Sequence, residues 1–370
     1  MIGERIFGSG ITGAAAIGIA IGLLAGAAHA SDAETAKLAY LEIEDAPADT
    51  ERGASWLGKG SDTLLGLVTT IDTLAFDEEF DGLVIRLKDA QLGVTQVEEL
   101  GRALERYRDE GKRVHVYSEG YGPGGLLLGS HADEVILQEG TMVSFPGLHA
   151  EEMYLASMFD WIGVEAQLVQ VGDYKGANET MTRTEPSEAW NENISSLLDA
   201  MYANMRAILK DGRGLTDSGL DEAMRVAWAA SGDEALEHGL IDSVVDLPTL
   251  RDHLSEAYDA RVSWVKEPYA ADRGVSFDMS NPFAFFATMN KRGQVTVDHP
   301  SIAVLHINGT IIDGESSSGG FLGGGNSTGS RTIRNAIERL IDEDLIKGVV
   351  VRIDSPGGSA IASEVMWQGI

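Results

Sequence analysis

The chain has 370 residues, 44% of them hydrophobic, which is enough for two ordinary domains with a sizeable core. Its formal net charge of −30 argues against nucleic-acid binding, which needs clustered Lys and Arg, and disfavours tight contact with an anionic lipid surface. With no cysteine, it has no disulfide, no thiolate nucleophile and no cysteine-based zinc site.

A short polar start containing Arg5 precedes an uncharged run, residues 6–28, rich in Ala, Gly, Ile and Leu. The run ends at Ala28-His29-Ala30, a small-x-small pattern, and acidic residues follow at Asp32 and Glu34. Residues 1–30 therefore read as either a cleaved secretory signal or a retained membrane anchor, since about 20 apolar residues span a bilayer. Both alternatives place the remainder outside the cytoplasm. Residues 31–56 are small and acidic, with Pro47, and read as a linker.

Residues 57–271 read as a first α/β repeat. The pattern predicts helices over 62–79, 96–110, 126–131 and 151–162, and a long helix opened by Thr184-Glu185-Pro186 that runs to about Lys210. Strands are predicted at 80–88, 112–118, 134–137 and 165–171. Helices and strands alternating through short links imply an α/β fold with parallel pairing. Residues 272–300, rich in Gly, Asn and Pro, read as the interdomain link. Residues 301–370 read as the start of a second α/β repeat, with a strand at 302–307, a Gly/Ser loop at 316–330, a helix at 332–344 and a buried strand at 349–353.

The two repeats share a pattern. Gly82-Leu83-Val84-Ile85-Arg86-Leu87 matches Gly348-Val349-Val350-Val351-Arg352-Ile353, 266 positions later, and each follows an acidic helical stretch. In that register Ser355 falls opposite Asp89, Gly357 and Gly358 opposite Gln91 and Leu92, and Ser363 opposite Val97. The first copy thus lacks both the glycine turn and the hydroxyl.

The break Asp354-Ser355-Pro356-Gly357-Gly358 follows the second-copy strand, and residues 359–365 read as the first turns of a helix. Proline and paired glycines let the chain turn sharply and bring a backbone N–H close to a ligand. A hydroxyl near a helix N-terminus, beside free N–H groups, supplies what acyl transfer needs: a nucleophile, and donors for an oxyanion. Both Ser359 and Ser363 qualify, and Ser359 fits equally well as a helix N-cap. None of the eight histidines sits in a recognisable motif, and His306 reads as a core or edge residue. Lys175, just past an apolar stretch in Gly172-Asp173-Tyr174-Lys175-Gly176, is an alternative base if burial favours its neutral form; by spacing alone it is a surface lysine.

From about Leu57 onward the chain resembles the signal peptide peptidase A (protease IV) family of serine peptidases in its long, duplicated form. The stretches that carry this are Val171-Gly172-Asp173-Tyr174-Lys175, Gly239-Leu240-Ile241-Asp242, residues 302–314 (IAVLHINGTIIDG) and residues 354–365 (DSPGGSAIASEV). The resemblance implies crotonase/Clp-protease-like α/β repeats and a Ser/Lys dyad with Ser363 as nucleophile and Lys175 as general base, one from each repeat. Gly357 and Gly358 are the expected oxyanion turn. It implies no cofactor and no metal. It further implies a homotetramer, an N-terminal segment in the bacterial inner membrane with the catalytic part facing the periplasm, and substrates resembling cleaved signal peptides. In the family the second repeat runs on about as far as the first, whereas this sequence stops at Ile370; it reads as truncated within that repeat, with activity in doubt. A crotonase-type acyl-CoA enzyme and a catalytically silent membrane scaffold are the alternative readings.

Overall fold

The computed structural model describes residues 35–49, 63–88, 90–268, 297–317 and 326–370. The expected signal or anchor at 1–30 and most of the 272–300 link lie outside those residues, and no described helix is long and apolar enough to cross a membrane. The first unit is built on a six-stranded sheet. In chain order its elements are β1 (Thr35–Ile43), α1 (Leu64–Ala75), β2 (Gly82–Leu87), α2 (Val94–Asp109), β3 (Arg113–Ser118), α3 (Pro123–Gly129), β4 (Glu134–Leu137), β5 (Met142–Val143), α4 (Ala156–Ile162), α5 (Glu179–Thr182), α6 (Glu188–Gly212), α7 (Asp217–Val226), β6 (Ala230–Ser231), α8 (Gly232–Glu237), β7 (Ser243–Val244), α9 (Leu250–Tyr258) and β8 (Arg261–Lys266). The sheet order is β7-β4-β3-β2-β1-β8 and every pair in it is parallel. The α/β class expected from the alternation is therefore met.

One correction concerns residues 31–56, expected as a linker. β1 lies within them and pairs with β2 on one side and β8 on the other. Leu38, Ala39, Tyr40 and Leu41 are all buried, because helices cover both faces of the sheet. A strand buried on both faces shows no apolar–polar alternation, so its pattern escapes a period-two search.

α1 and α2 cover one face. Leu67, Ile71 and Leu74 of α1, with Val97, Leu100 and Leu104 of α2, pack on Leu83, Ile85 and Leu87 of β2 and on Leu41 and Ile43 of β1. Their spacing of three and four is that of one helix face. Each fully buried side chain of this size contributes about 2 kcal/mol. α1 starts where Thr63 accepts a hydrogen bond from Gly66 N, satisfying an amide the helix leaves free. The opposite face carries Leu38, Tyr40 and Val84, covered by Leu250 and Leu254 of α9.

A polar cluster ties α9 to that face. The half-buried Glu134 carboxylate of β4 accepts hydrogen bonds from His115 Nδ1 of β3 at 2.8 Å, His253 Nε2 of α9 at 2.6 Å and Ser243 Oγ of β7 at 2.9 Å. Burial alone would raise its pKa. The hydrogen bonds from the two histidines and Ser243 outweigh burial and hold it at about 2.

Residues 151–171 depart from the sequence reading, whereas the long helix expected after Pro186 is formed as α6. The helix expected over 151–162 is shortened to α4, which buries no residue. The strand expected at 165–171 is not formed; among the described residues it has no partner strand, and Val169 is 93% exposed. Apolar residues alone do not make a strand without a neighbour to receive its hydrogen bonds.

The second unit repeats the first on a smaller scale. It comprises β9 (Ser301–Asn308), β10 (Thr310–Ile312), β11 (Ser327–Gly329), α10 (Ser330–Ile341), β12 (Ile346–Asp354) and α11 (Ala360–Trp367). β11 and the start of α10 lie in what the composition marked as a Gly/Ser loop, 316–330. α10 spans the positions of α1 moved by 266, and α11 starts where α2 does by the same step. Ile333, Ile337 and Met366 fall at the positions of Leu67, Ile71 and Leu100, and pack on Leu305 and Ile307 of β9. β9 and β12 pair in parallel, as β1 and β2 do. β12 was expected to be buried, yet Val350 is 53% and Ile353 65% exposed. Among the described residues β9 and β12 form a two-stranded sheet, with no counterpart of β3 or α9 to cover them.

Candidate functional site

The turn after β12 is held by backbone hydrogen bonds to β10. Ile311 N donates to Gly357 O at 3.0 Å, and Ser359 N donates to Ile311 O at 2.9 Å. Gly309 N donates to Asp354 O at 2.8 Å. Ser355 braces the turn from inside: its Oγ donates to Gly309 O at 2.6 Å and accepts from Gly357 N at 3.0 Å. Gly357 has φ 101°, a conformation an L side chain rarely adopts. At Gly358 the contact matters more, since a Cβ there would lie 2.8 Å from both N and C of Ile311 and closer still to its oxygen.

This stitching does not use every amide of the turn. The Gly358 N–H has no hydrogen-bond partner among the described residues, whereas the amides on either side of it are both engaged. It lies at the entry to α11, where the helix dipole favours negative charge. Of the two competing serines, Ser359 is the N-cap: its Oγ accepts from Ala362 N at 3.2 Å and donates to Asp313 Oδ2 at 3.3 Å. Ser363 is half-buried one turn further on, and its Oγ donates to Ser359 O at 3.0 Å, the ordinary resting bond of a helical serine. Ser359 is thus committed to structure, while Ser363 holds a bond it can give up.

Lys175 closes a turn in which its N–H donates to Gly172 O at 3.3 Å. Two contacts fix that turn against the start of α6. A Cβ on Gly176 would meet the Trp190 ring at 2.6 Å, so the backbone there lies against the indole. Glu179 accepts from Ser187 N at 2.7 Å and Ser187 Oγ at 2.6 Å, and those donors hold its carboxyl below the usual range. The Lys175 side chain is exposed and beside an open cleft of about 720 Å³ lined by Asp173, Tyr174, Glu179, Arg183 and Glu192. Among the described residues Lys175 and Ser363 share no hydrogen bond.

At the matching place in the first copy, Val97 is fully buried among Leu83, Leu100 and their neighbours. The α/β framework is kept there and the hydroxyl is not. Sequence reasoning did not single out Ser355, Gly309 and Ile311 as the braces of the glycine turn. A serine two residues before a glycine pair was the available signal; the role of Ile311 depends on a contact across 46 residues.

Residues 106–261 match the model of Peptidase family S49. Protease 4 of Haemophilus influenzae is 28% identical over 315 residues, spanning 82% of this chain and 48% of that protein. Protease 4 of Salmonella typhi is 28% identical over 344 residues, spanning 88% of this chain and 52% of that protein. The chain therefore spans about half the length of the curated relatives it matches. Among solved structures, ClpP1 from Listeria monocytogenes is 12% identical, covers 60% of this chain and 94% of that one, and has a TM-score of 0.32. At that score the likeness adds nothing to the fold, which rests on the parallel sheet itself.

Proposed function

We propose that this chain, a relative of the signal peptide peptidase A family, is a serine endopeptidase that uses Ser363 as nucleophile and Lys175 as general base. The observation that carries the reading is the Gly358 N–H, without a partner among the described residues, at the entry to the helix that bears Ser363. A fixed donor there costs nothing to reorganise when an oxyanion forms. Lys175, as its amine, takes the proton from Ser363 Oγ. The alkoxide adds to a peptide carbonyl, and the tetrahedral oxygen is held by Gly358 N–H. Lys175 then protonates the departing amine as the C–N bond breaks; the neutral Lys175 takes a proton from water, the hydroxide adds to the acyl carbon, and Lys175 returns that proton to Ser363 Oγ as the acid leaves.

The substrates in this reading are apolar peptides such as cleaved signal peptides, met at the outer face of the bacterial inner membrane. The assembly is a homotetramer, and residues 1–30 hold it at the membrane or are removed. Treatment with a fluorophosphonate tests the chemistry. We expect labelling of the chain that disappears in Ser363→Ala and falls strongly in Lys175→Ala. Labelling that survives Ser363→Ala moves the nucleophile elsewhere and sinks the assignment.

A further inference from the structure

We infer that Arg352 is a positioning residue that seats the second unit on the first and so sets where Ser363 stands relative to Lys175; this rests on the dyad reading above. Arg352 is on β12, three residues before Ser355. Its Nη2 and Nε donate to the two carboxylate oxygens of Asp49 at 3.1 and 3.3 Å, and its Nη1 donates to Glu99 at 2.6 Å. Asp49 follows β1 and Glu99 is on α2, so both acceptors belong to the first unit. The Asp49 side chain is only 11% exposed, which shields the pair from solvent screening. Asp49 and Glu99 together hold the guanidinium above its ordinary range.

The repeat shows that this pairing is not a default for an arginine at this point. Arg86, at the same place in the first copy, is served inside its own unit by Glu42 and Glu119. Its strand neighbour across the sheet is Glu42, whereas the neighbour of Arg352 is His306. The second copy has no carboxylate at that place, and the Nδ1 of His306 there is buried without a partner among the described residues. Arg352 is thereby free to reach across, and it finds two carboxylates of the other unit. A planar guanidinium gripping one carboxylate through two nitrogens fixes orientation as well as distance. Turning β12 by a small angle would swing α11, because the glycine turn between them is stitched rigidly to β10.

The absence of native cysteine permits a direct test in the 370-residue chain. Cysteines introduced by Arg102→Cys on α2 and Gln368→Cys after α11, both at exposed positions, carry a donor and an acceptor dye. Energy transfer between them then reports docking, and fluorophosphonate labelling reports Ser363. We expect Arg352→Ala to lower transfer and to slow labelling by about tenfold or more, the scale of a misplaced reacting group. Arg352→Lys, which keeps the charge but not the fork, should fall between. Exchange of charge in Arg352→Glu with Glu99→Arg should restore both signals in part, which a merely unfolded variant would not do. Arg86→Ala should leave transfer unchanged. Transfer unaltered by Arg352→Ala, or charge exchange that restores nothing while Arg86→Ala is as harmful, overturns the inference. Absence of labelling in the unaltered chain would instead refute the dyad, and transfer would still decide the role of Arg352.

Discussion

Replacing Gly358 by alanine should unseat the turn that carries the candidate oxyanion donor. The new Cβ would sit 2.8 Å from Ile311 N and C, where ordinary carbon contacts are near 3.5–4 Å, so the two backbones must part by about 1 Å. The hydrogen bonds on either side, Ile311 N to Gly357 O and Ser359 N to Ile311 O, cannot both survive that separation. At about 1 kcal/mol each they account for about 2 kcal/mol, and residual strain adds about 1–3 kcal/mol more. We expect a local loss of about 3–5 kcal/mol, read as faster amide hydrogen exchange in α11 and as near-complete loss of fluorophosphonate labelling. Gly348→Ala is the internal control. It lies on β12 with nothing within 4 Å of its Cβ, so alanine there should leave exchange in α11 and labelling as they were. If Gly358→Ala labels as fast as the unaltered chain, the close approach to Ile311 is not what holds the turn, and the oxyanion argument fails with it.

Three further outcomes follow from the same geometry. Glu134 is held at about 2 against about 4.3 in an unfolded chain, so its contribution is present above the unfolded value and is lost as pH falls from about 4.5 to 2. It amounts to about 3 kcal/mol, and denaturation of Glu134→Gln across that window should lack this part of the acid limb; an identical limb would refute it. Val97→Ser should cost about 2–3 kcal/mol, through lost burial and an unpaired hydroxyl, and yield no new labelled site. Gly176→Ala must push the Lys175 turn off the Trp190 ring, so labelling of Ser363 should slow while urea stability of the first-unit sheet is retained.

The α/β class and the duplication were legible because they are written in periodicity and in a fixed step of 266 residues, which α10, β12 and α11 follow. The residues alone left Ser359 and Ser363 both open, and only the family resemblance pointed to Ser363; that Ser359 is the N-cap is a finding of the structure. β1 was missed because a strand with both faces covered has no alternation to betray it. The 165–171 stretch failed for the opposite reason: it has strand-like residues but no neighbour among the described residues, and pairing is not encoded in the segment itself. Arg352 was visible as part of the shared pattern, but its partners are 303 positions away at Asp49 and 253 at Glu99, and no local rule reaches that far.

Leu92 stands in the first copy where Gly358 stands in the second, and α3 is pressed against it: a Cβ on Gly124 would lie 2.9 Å from Leu92 C. A serine placed at position 97 would therefore not make a working centre by itself, because Leu92 and α3 fill the space that the glycine turn leaves beside Ser363 in the second copy. In the first copy the space beside the helix start is taken up by packing side chains, so a hydroxyl alone would meet hydrocarbon there and not a substrate carbonyl.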